Sequence, residues 1–240
     1  QLYKDEVRDL GTTLGLPDSL VWRQPFPGPG LAVRCLCSKA EVDEDLSGVE
    51  VRVKTIAAEA GLSARVLPLQ SVGVQGDFRT YAHPAMVWGD ADWKTLETVS
   101  TRVTNEVREV NRVIHLIVPG SPPDLQLKRS YLTRERLDLL READAIAMQA
   151  IGEAGLDGRA DEAADRVSQM PTVLLPLTTD GHDEIIVLRP VTTPDFMTAR
   201  FAELPHELVQ NMGERILSLP GIGAVLYDVT HKPPGTVEWE

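Results

Sequence analysis

The 240-residue chain carries 24 Lys and Arg against 36 Asp and Glu, a formal net charge of −12, and 42% of it is hydrophobic, as in globular proteins with a packed core. Its length suits one large or two small domains. An acidic chain lacks the basic footprint of a nucleic-acid-binding protein, yet a few local cations can still hold a small anionic ligand. No run approaches the ~18 apolar residues of a membrane span, so we expect neither a nucleic acid nor a membrane as partner.

The two cysteines, Cys35 and Cys37, are only two residues apart. That spacing fits neither a disulfide framework nor a zinc site, and it indicates a reducing, cytoplasmic compartment. The sequence begins with Gln1 and contains no initiating Met, so we expect that it continues a longer protein.

The first predicted elements are two short helices and a rigid turn. Apolar residues at helical spacing predict a helix from Tyr3 to Leu14, and a second helical turn is expected over Asp18–Trp22. Three prolines and two glycines in Pro25–Gly30 exclude regular structure and hold an extended turn. A strand is expected to follow over Leu31–Cys37, with both cysteines on one face.

The chain then repeats a unit made of two strands, a helix and a closing strand. Each copy opens on Leu-Pro-Leu, at Leu67–Leu69 and at Leu175–Leu177. In the first copy there follow a strand at Ala85–Trp88, the acidic-aromatic pair Asp92–Trp93, a helix with Leu96, Val99, Val103 and Val107, and a closing strand at Arg112–Ile117. In the second copy the same order gives a strand at Ile185–Leu188, the pair Asp195–Phe196, a helix with Leu204, Leu208, Met212 and Ile216, and a closing strand at Ala224–Val229. We therefore predict an α+β fold of two tandem β-β-α-β subdomains, each an open sheet with helices packed on one face.

A loop and a helix separate the copies. Pro119–Pro123 predicts the loop, and a helix is expected to begin after Thr133 as its N-cap. The acidic stretch Asp157–Asp165 is expected to form a solvated bend.

The sequence contains none of the common catalytic motifs. It has no Gly-x-Ser-x-Gly elbow, no His-Glu-x-x-His pair and no glycine-rich phosphate loop ending in Lys-Ser/Thr. Its histidines have no metal-ligand spacing and are each expected to be surface or loop residues: His83, His115, His182, His206 and His231. Catalysis by this chain alone is therefore disfavoured.

Four stretches are instead suited to binding an anion. Gly28 and Gly30 of the rigid turn allow close approach of the backbone to a ligand. In Val72–Tyr81, Arg79 offers a fork of donors to a phosphate or carboxylate, and Asp77 can orient it. The same spacing also describes a hairpin with a surface salt bridge.

The other two stretches lie further along the chain. The amide of Gln169 donates and accepts, which suits the edge of a purine base, although a solvent-facing loop glutamine has the same appearance. In Thr230–Glu240, Lys232 precedes a stiff Pro-Pro-Gly turn, and alternating apolar residues would dock the tail with Glu238 on the opposite face. A docked tail with a solvated lysine is the alternative.

Together these stretches resemble the C-terminal part of GMP synthase (glutamine-hydrolysing). The resembling residues are Tyr3–Arg8, Trp22–Arg34, Ser71–Asp77, Asp195–Thr198 and Lys232–Glu240, the last reading Lys-Pro-Pro-Gly-Thr-Val-Glu-Trp-Glu. The resemblance spans nearly the whole chain, and the tandem copies look like the longer form of the family, which carries a second dimerisation subdomain.

The resemblance implies a division of the chain and a parent reaction. It implies that residues 1–22 end an ATP pyrophosphatase domain, that residues 23–130 form the first dimerisation subdomain, and that residues 131–240 form the second with an XMP-binding tail. In the family, ATP adenylates the C2 oxygen of xanthosine 5′-monophosphate (XMP), and ammonia from glutamine displaces AMP to give GMP.

The resemblance also implies which residues contact XMP, and these are Asp77, Arg79, Gln169, Lys232 and Glu238. We expect Lys232 and Arg79 at the phosphate or neighbouring oxygens, and Gln169 and Glu238 at polar groups of the base or ribose. No catalytic or metal-binding residue is implied within the chain.

The pyrophosphate loop and the glutaminase residues of the family are missing from this sequence. We therefore expect the chain alone to be inactive and to bind no cofactor, with ATP and Mg²⁺ serving the full-length enzyme through upstream domains. A cytoplasmic homodimer is expected. The alternative is a structural homodimerisation module without its own ligand, and a self-sufficient hydrolase is the least favoured reading.

Overall fold

The computed structural model describes residues 4–21, 24, 27–41, 44–75, 78–156, 166–181, 183–193 and 197–240. The helices are α1 (Lys4–Thr13), α2 (Asp18–Val21), α3 (Ser47–Glu59), α4 (Trp93–Glu106), α5 (Arg134–Glu153) and α6 (His206–Leu217), with a 3₁₀ helix at Gly30–Arg34. The strands are β1 (Ser63–Val66), β2 (Ser71–Gln75), β3 (Phe78–Trp88), β4 (Val110–Val118), β5 (Gln126–Leu127), β6 (Thr172–Leu175), β7 (Leu177–Thr178), β8 (Glu184–Leu188), β9 (Val191–Thr192), β10 (Arg200–Phe201) and β11 (Ile222–Asp228). The predictions for Pro25–Phe26, Asp77, Asp157–Asp165, His182 and Asp195–Phe196 lie outside the described residues.

The main sheet is open and contains both copies of the repeat. Its strand order is β1-β3-β4-β11-β8-β6, and β2 pairs with β3 beside β1. In the first copy β1 is antiparallel to β3 and β3 is parallel to β4, and the second copy repeats this with β6, β8 and β11. The copies meet where β4 runs antiparallel to β11, with Leu116 opposite Leu226. The α+β prediction is confirmed, and the two predicted sheets are joined edge to edge about a pseudo-twofold axis.

Alternate strand residues point to opposite faces of this sheet. On one face Val113 and Val225 pack with the buried sides of α3, α4, α5 and α6, so the prediction of helices on one face is confirmed. On the other face Ile114 and Leu226 belong to a second cluster that the C-terminal Trp239 completes. The sheet is therefore the middle layer, with helices on one side and loops and the tail on the other.

Local sequence explains why the helices begin where they do. Asp92 caps α4 by accepting a hydrogen bond from the Thr95 N–H at 2.8 Å. Thr133 caps α5 in the same way, through the Arg136 N–H at 3.3 Å, as the sequence predicted. Leu204 lies before α6 and not within it, and it packs into the core from the preceding segment.

The predicted strand over Leu31–Cys37 is wrong. The chain forms the 3₁₀ helix Gly30–Arg34, which closes when the Cys35 N–H donates to the Ala32 carbonyl at 3.2 Å. Cys35 is buried and Cys37 is exposed, so the two do not share a face. Both thiols are free, as expected, and burial raises the pKa of Cys35 to about 11.

Two histidines are more enclosed than the sequence suggested. His83 is buried in β3, where Nδ1 lies 3.0 Å from the Leu67 carbonyl oxygen. His115 is part-buried in β4, and burial lowers its pKa to about 4, with a smaller contribution from the charge of His206. Of the helices among the described residues, none is long and apolar enough to cross a membrane.

Candidate functional site

The C-terminal tail, residues 230–240, packs along β2. The Val72 N–H donates to the Trp239 carbonyl at 2.9 Å, and the Val74 N–H donates to the Pro234 carbonyl at 2.7 Å. These bonds occupy the edge of β2 that faces away from β3. The tail therefore joins the sheet of the first copy, although it follows the last strand of the second.

Gly73 makes this close approach possible. It lies opposite Gly235 in an antiparallel bridge. A Cβ at Gly73 would lie 2.8 Å from the Thr80 hydroxyl, 2.9 Å from the Pro234 carbonyl oxygen and 3.0 Å from the Asn111 amide nitrogen. Only a residue without a side chain fits between β3 and the tail here.

Lys232 lies in the tail and pairs with a separate segment of the second copy. Its N–H donates to the Ala199 carbonyl at 2.8 Å, and its carbonyl accepts from the Ala199 N–H at 3.1 Å. Ala199 directly precedes β10. The tail therefore connects the β2–β3 hairpin to the segment that carries Met197 and Thr198 of the resembling motif.

Beneath the tail, two fully buried arginines share one fully buried aspartate. Arg112 Nη1 lies 3.0 Å from Asp228 Oδ2, and Arg189 Nη1 lies 3.0 Å from Asp228 Oδ1. Both guanidinium groups also donate to tail carbonyls, Arg112 to Glu238 at 3.0 Å and Arg189 to Thr236 at 2.9 Å. We call Arg112, Asp228 and Arg189 the Arg–Asp–Arg cluster.

The cluster carries an excess of positive charge. Burial and the neighbouring charge of Arg189 together lower the pKa of Arg112 to about 9, while Asp228 opposes the change. Burial also lowers the pKa of Arg189, again opposed by Asp228. Since a guanidinium keeps its proton in proteins, two cations face the Asp228 carboxylate, and the charge of the Glu238 carboxylate also acts on both of them.

Glu238 is held by a bidentate ion pair. Arg34 Nε donates to Oε2 at 2.9 Å and Nη2 donates to Oε1 at 2.8 Å, with the two side chains 5% and 22% exposed. Burial raises the pKa of the nearby Asp144, and the charge of Arg34 opposes that rise. The end of the 3₁₀ helix therefore fixes where the Glu238 carboxylate lies.

Gln169 is buried close to the rigid turn. Its carbonyl accepts from the Val191 N–H at 2.9 Å, and the next N–H, of Met170, donates to Gln24 Oε1 at 3.1 Å. Val191 belongs to β9, which pairs with β10 next to Ala199. Backbone pairing, together with the bond from the Met170 N–H to the Gln24 side chain, thus links Gln24, Gln169 and the tail in one continuous region.

Arg79 lies on the other side of β2 from the tail. It is exposed in β3, and its Cα partner in β2 is Val74, whose N–H binds the tail. Strands β2 and β3 pair antiparallel, as in the alternative reading of a hairpin, and the salt bridge of that reading involves Asp77, which lies outside the described residues. The structure therefore places Lys232 and Glu238 on the tail, Gln169 in the segment that pairs with β9, and Arg79 in β3, which β2 separates from the tail.

Sequence reasoning missed the charges beneath the tail. Arg112 and Asp228 each lie within a predicted apolar strand, and Arg34 was expected only as part of a strand. A charged residue in an apolar strand is rarely buried without a partner, and this signal could have indicated the cluster. Within the ranges that the structure describes, no group of three or more His, Cys, Asp or Glu could hold a metal ion.

Comparison with known proteins gives a consistent assignment. Residues 55–124 and 158–239 match the family described as the GMP synthase C terminal domain. The chain belongs to this family. A probable GMP synthase (glutamine-hydrolyzing) of Leptospira interrogans is 41% identical over 244 residues, covering 100% of this chain and 39% of the relative. A probable GMP synthase of Caenorhabditis elegans is 33% identical over 307 residues, covering 99% of this chain and 41% of the relative.

A GMP synthase of Oceanobacillus iheyensis is 41% identical over 145 residues, which cover only 52% of this chain and 28% of the relative. The chain spans about two fifths of the length of the two relatives that match it throughout. The stretches matched to the GMP synthase C terminal domain contain β1–β4 and β6–β11, and they include the Arg–Asp–Arg cluster and most of the tail.

Proposed function

We propose that the chain is the dimerisation and XMP-binding region of a GMP synthase (glutamine-hydrolysing), an enzyme that converts XMP to GMP with ATP and glutamine-derived ammonia. The observation that carries the proposal is the docked tail, which pairs with β2 of the hairpin that carries Arg79, holds Lys232 beside Ala199 and holds the Glu238 carboxylate on Arg34. Membership of the family supports it.

The roles of the residues follow from their chemistry. Lys232 is a point charge and Arg79 a planar fork of donors, and both suit a phosphate or neighbouring oxygens. The Gln169 amide and the Glu238 carboxylate suit polar groups of base or ribose, with Asp77 as a further contact. The bidentate pair with Arg34 supports an orienting role for Glu238, because it holds the carboxylate in one place.

We further propose that the active machinery lies on other domains of the protein. Residues 1–22 then end an ATP pyrophosphatase domain, residues 23–130 form one dimerisation subdomain, and residues 131–240 form the other. The limited match to the Oceanobacillus relative supports a longer form with an added subdomain. ATP and Mg²⁺ would act upstream in a cytoplasmic enzyme, and this chain alone would not form GMP.

Replacement of Lys232 tests the XMP assignment. In the full-length enzyme, Lys232→Ala should raise the KM for XMP about tenfold or more, since a charge-assisted contact contributes about 1.5–3 kcal/mol. Lys94→Ala, an exposed lysine of α4, is the matched control and should leave the KM unchanged. Calorimetry on the isolated chain should likewise show weaker XMP binding by Lys232→Ala than by Lys94→Ala. Equal values for both variants would contradict the assignment.

Self-association is a second proposal with its own test. Strands β4 and β11, which the repeat would offer to a partner, are paired with each other within the chain, so a homodimer must use another surface. Light scattering at tens of micromolar should give twice the chain mass of 26.4 kDa. A mass of 26.4 kDa at every concentration would refute the dimer. A dimer that shows no heat with XMP would favour the alternative, a structural module.

A further inference from the structure

We propose that Arg112 and Arg189 are positioning residues: through the Arg–Asp–Arg cluster they fix the conformation of the C-terminal tail without themselves belonging to the binding surface. The tail has almost no regular secondary structure of its own, and chain ends of this kind fray unless side chains hold them. The fixing of the tail stands on the contacts described below. Its effect on XMP rests on the proposed function.

Arg189 holds both ends of the bend that contains Lys232. Its Nη1 donates to the Thr230 carbonyl at 2.9 Å, its Nε to the Thr236 carbonyl at 2.9 Å, and its Nη2 to the Gly235 carbonyl at 3.4 Å. These carbonyls lie on either side of residues 232–234. One rigid guanidinium therefore sets the distance between the two ends of the bend.

Arg112 joins the tail to β2. Its Nη2 lies 2.9 Å from the Val72 carbonyl oxygen, 2.8 Å from the Thr236 hydroxyl and 3.0 Å from the Glu238 carbonyl oxygen. Its guanidinium carbon also lies 4.8 Å from the centre of the Trp239 ring. The side chain therefore contacts the strand and the end of the tail at once.

Asp228 holds the two arginines in place. In addition to its ion pairs with both arginines, Asp228 accepts hydrogen bonds from the Trp239 indole N–H at 3.1 Å and from the Thr230 N–H at 3.0 Å. A displaced tail would leave buried N–H groups of both arginines without their carbonyl acceptors, and an unsatisfied buried donor is costly, so displacement is disfavoured. The cluster thus favours one arrangement of the tail over its alternatives.

A lysine variant can test whether Arg189 acts through the planar geometry of its guanidinium group or only through its positive charge. Arg189→Lys keeps the positive charge beside Asp228 but cannot donate to three carbonyls from one plane. Val103→Ala is the matched control, because Val103 is fully buried in α4 and its truncation destabilises the core away from the tail. Thr236→Val is a milder second variant, which removes the hydroxyl that Arg112 binds.

Hydrogen exchange read by mass spectrometry decides the proposal. Three backbone amides report whether the tail is docked, because their hydrogen bonds join it to the rest of the chain: those of Val72, Val74 and Lys232. Their exchange should become about tenfold faster or more in Arg189→Lys, with a smaller increase in Thr236→Val. Val103→Ala should leave these amides unchanged while α4 exchanges faster. If the arginine and threonine variants exchange like the parent, or if Val103→Ala quickens the tail amides equally, the proposal is overturned.

Kinetics separate this proposal from the proposed function. In the full-length enzyme, Arg189→Lys should raise the KM for XMP about tenfold with kcat little changed, because only the placement of a binding residue is altered. A faster-exchanging tail with an unchanged KM would uphold the positioning role and refute the XMP site. An unchanged tail would refute the positioning role whatever the KM.

Discussion

The glycine between β3 and the tail offers the sharpest test of how the tail is held. In Gly73→Ala the new Cβ would meet the Pro234 carbonyl oxygen at 2.9 Å and the Thr80 hydroxyl at 2.8 Å. Thr80 can rotate its hydroxyl away, but a backbone carbonyl moves only if the chain moves. The tail must therefore leave β2 locally.

The cost can be worked out from the bonds at risk. Two of the hydrogen bonds between β2 and the tail are donated by the Val72 and Val74 N–H groups, and each contributes about 0.5–1.5 kcal/mol. Forcing a methyl group into a packed site costs about 1–3 kcal/mol, and the stiffer unfolded chain returns up to about 1 kcal/mol. A net loss of about 2–4 kcal/mol corresponds, for a protein of this size, to a fall in Tm of roughly 5–15 °C.

Thermal unfolding followed by circular dichroism measures this loss, and hydrogen exchange at Val72 and Val74 locates it. Gly120→Ala is the control: it is exposed, nothing lies within 4 Å of its Cβ, and its change in stability should stay within about 0.5 kcal/mol. The reasoning fails if both variants melt at the same temperature and the two amides stay protected in Gly73→Ala.

Three further predictions concern single side chains. Burial lowers the pKa of His115 to about 4, so the folded state binds this proton at a lower pH than the unfolded state does, and the free energy of unfolding falls by on the order of 2 kcal/mol as pH drops from about 6.5 to 4. Urea unfolding at several pH values should show that His115→Gln lacks this part of the fall. The same dependence of unfolding free energy on pH in variant and parent would refute the prediction. Burial raises the pKa of Asp144, so ionising this carboxyl group at neutral pH costs the folded state stability. Asp144→Asn should therefore have a higher Tm than the parent at pH 7, and the difference in Tm should shrink towards pH 4. An equal difference at both pH values would contradict this cause. Iodoacetamide should add one group to the native chain, at exposed Cys37, and a second at buried Cys35 only after denaturation; two adducts on native protein would show that Cys35 is accessible.

The repeat was predictable because its signals are local. The stripe of Leu96, Val99 and Val103 is set by residues one turn apart, and all three are buried in α4 as that spacing requires. Helix α3 has a similar buried stripe, but Val51 on its exposed face blurs the periodicity, and no helix was predicted there. Local patterns therefore identify an element only when its outer face is clearly polar.

The candidate site was less predictable because it depends on pairing across the chain. A charge in an apolar strand, such as Arg112, indicates a buried partner but not that the partner is Asp228, 116 residues away. The segment after the rigid turn is a second example. A strand was expected there, but the chain forms a 3₁₀ helix whose last residue, Arg34, is buried and binds Glu238. Such long-range contacts are set by tertiary structure, which overrides local preference.

The antiparallel pairing of β4 with β11 explains why the site draws on both copies. It places Ile114, near the start of β4, opposite Asp228 at the end of β11, so Arg112 of the first copy reaches the aspartate of the second. The tail leaves β11 at that point and returns to β2 of the first copy. At the pseudo-equivalent position after β4, the chain instead continues into the loop that leads to α5. One copy alone would lack either Arg112 and β2 or Asp228 and the tail, so in this chain the Arg–Asp–Arg cluster and the docking of the tail depend on both copies.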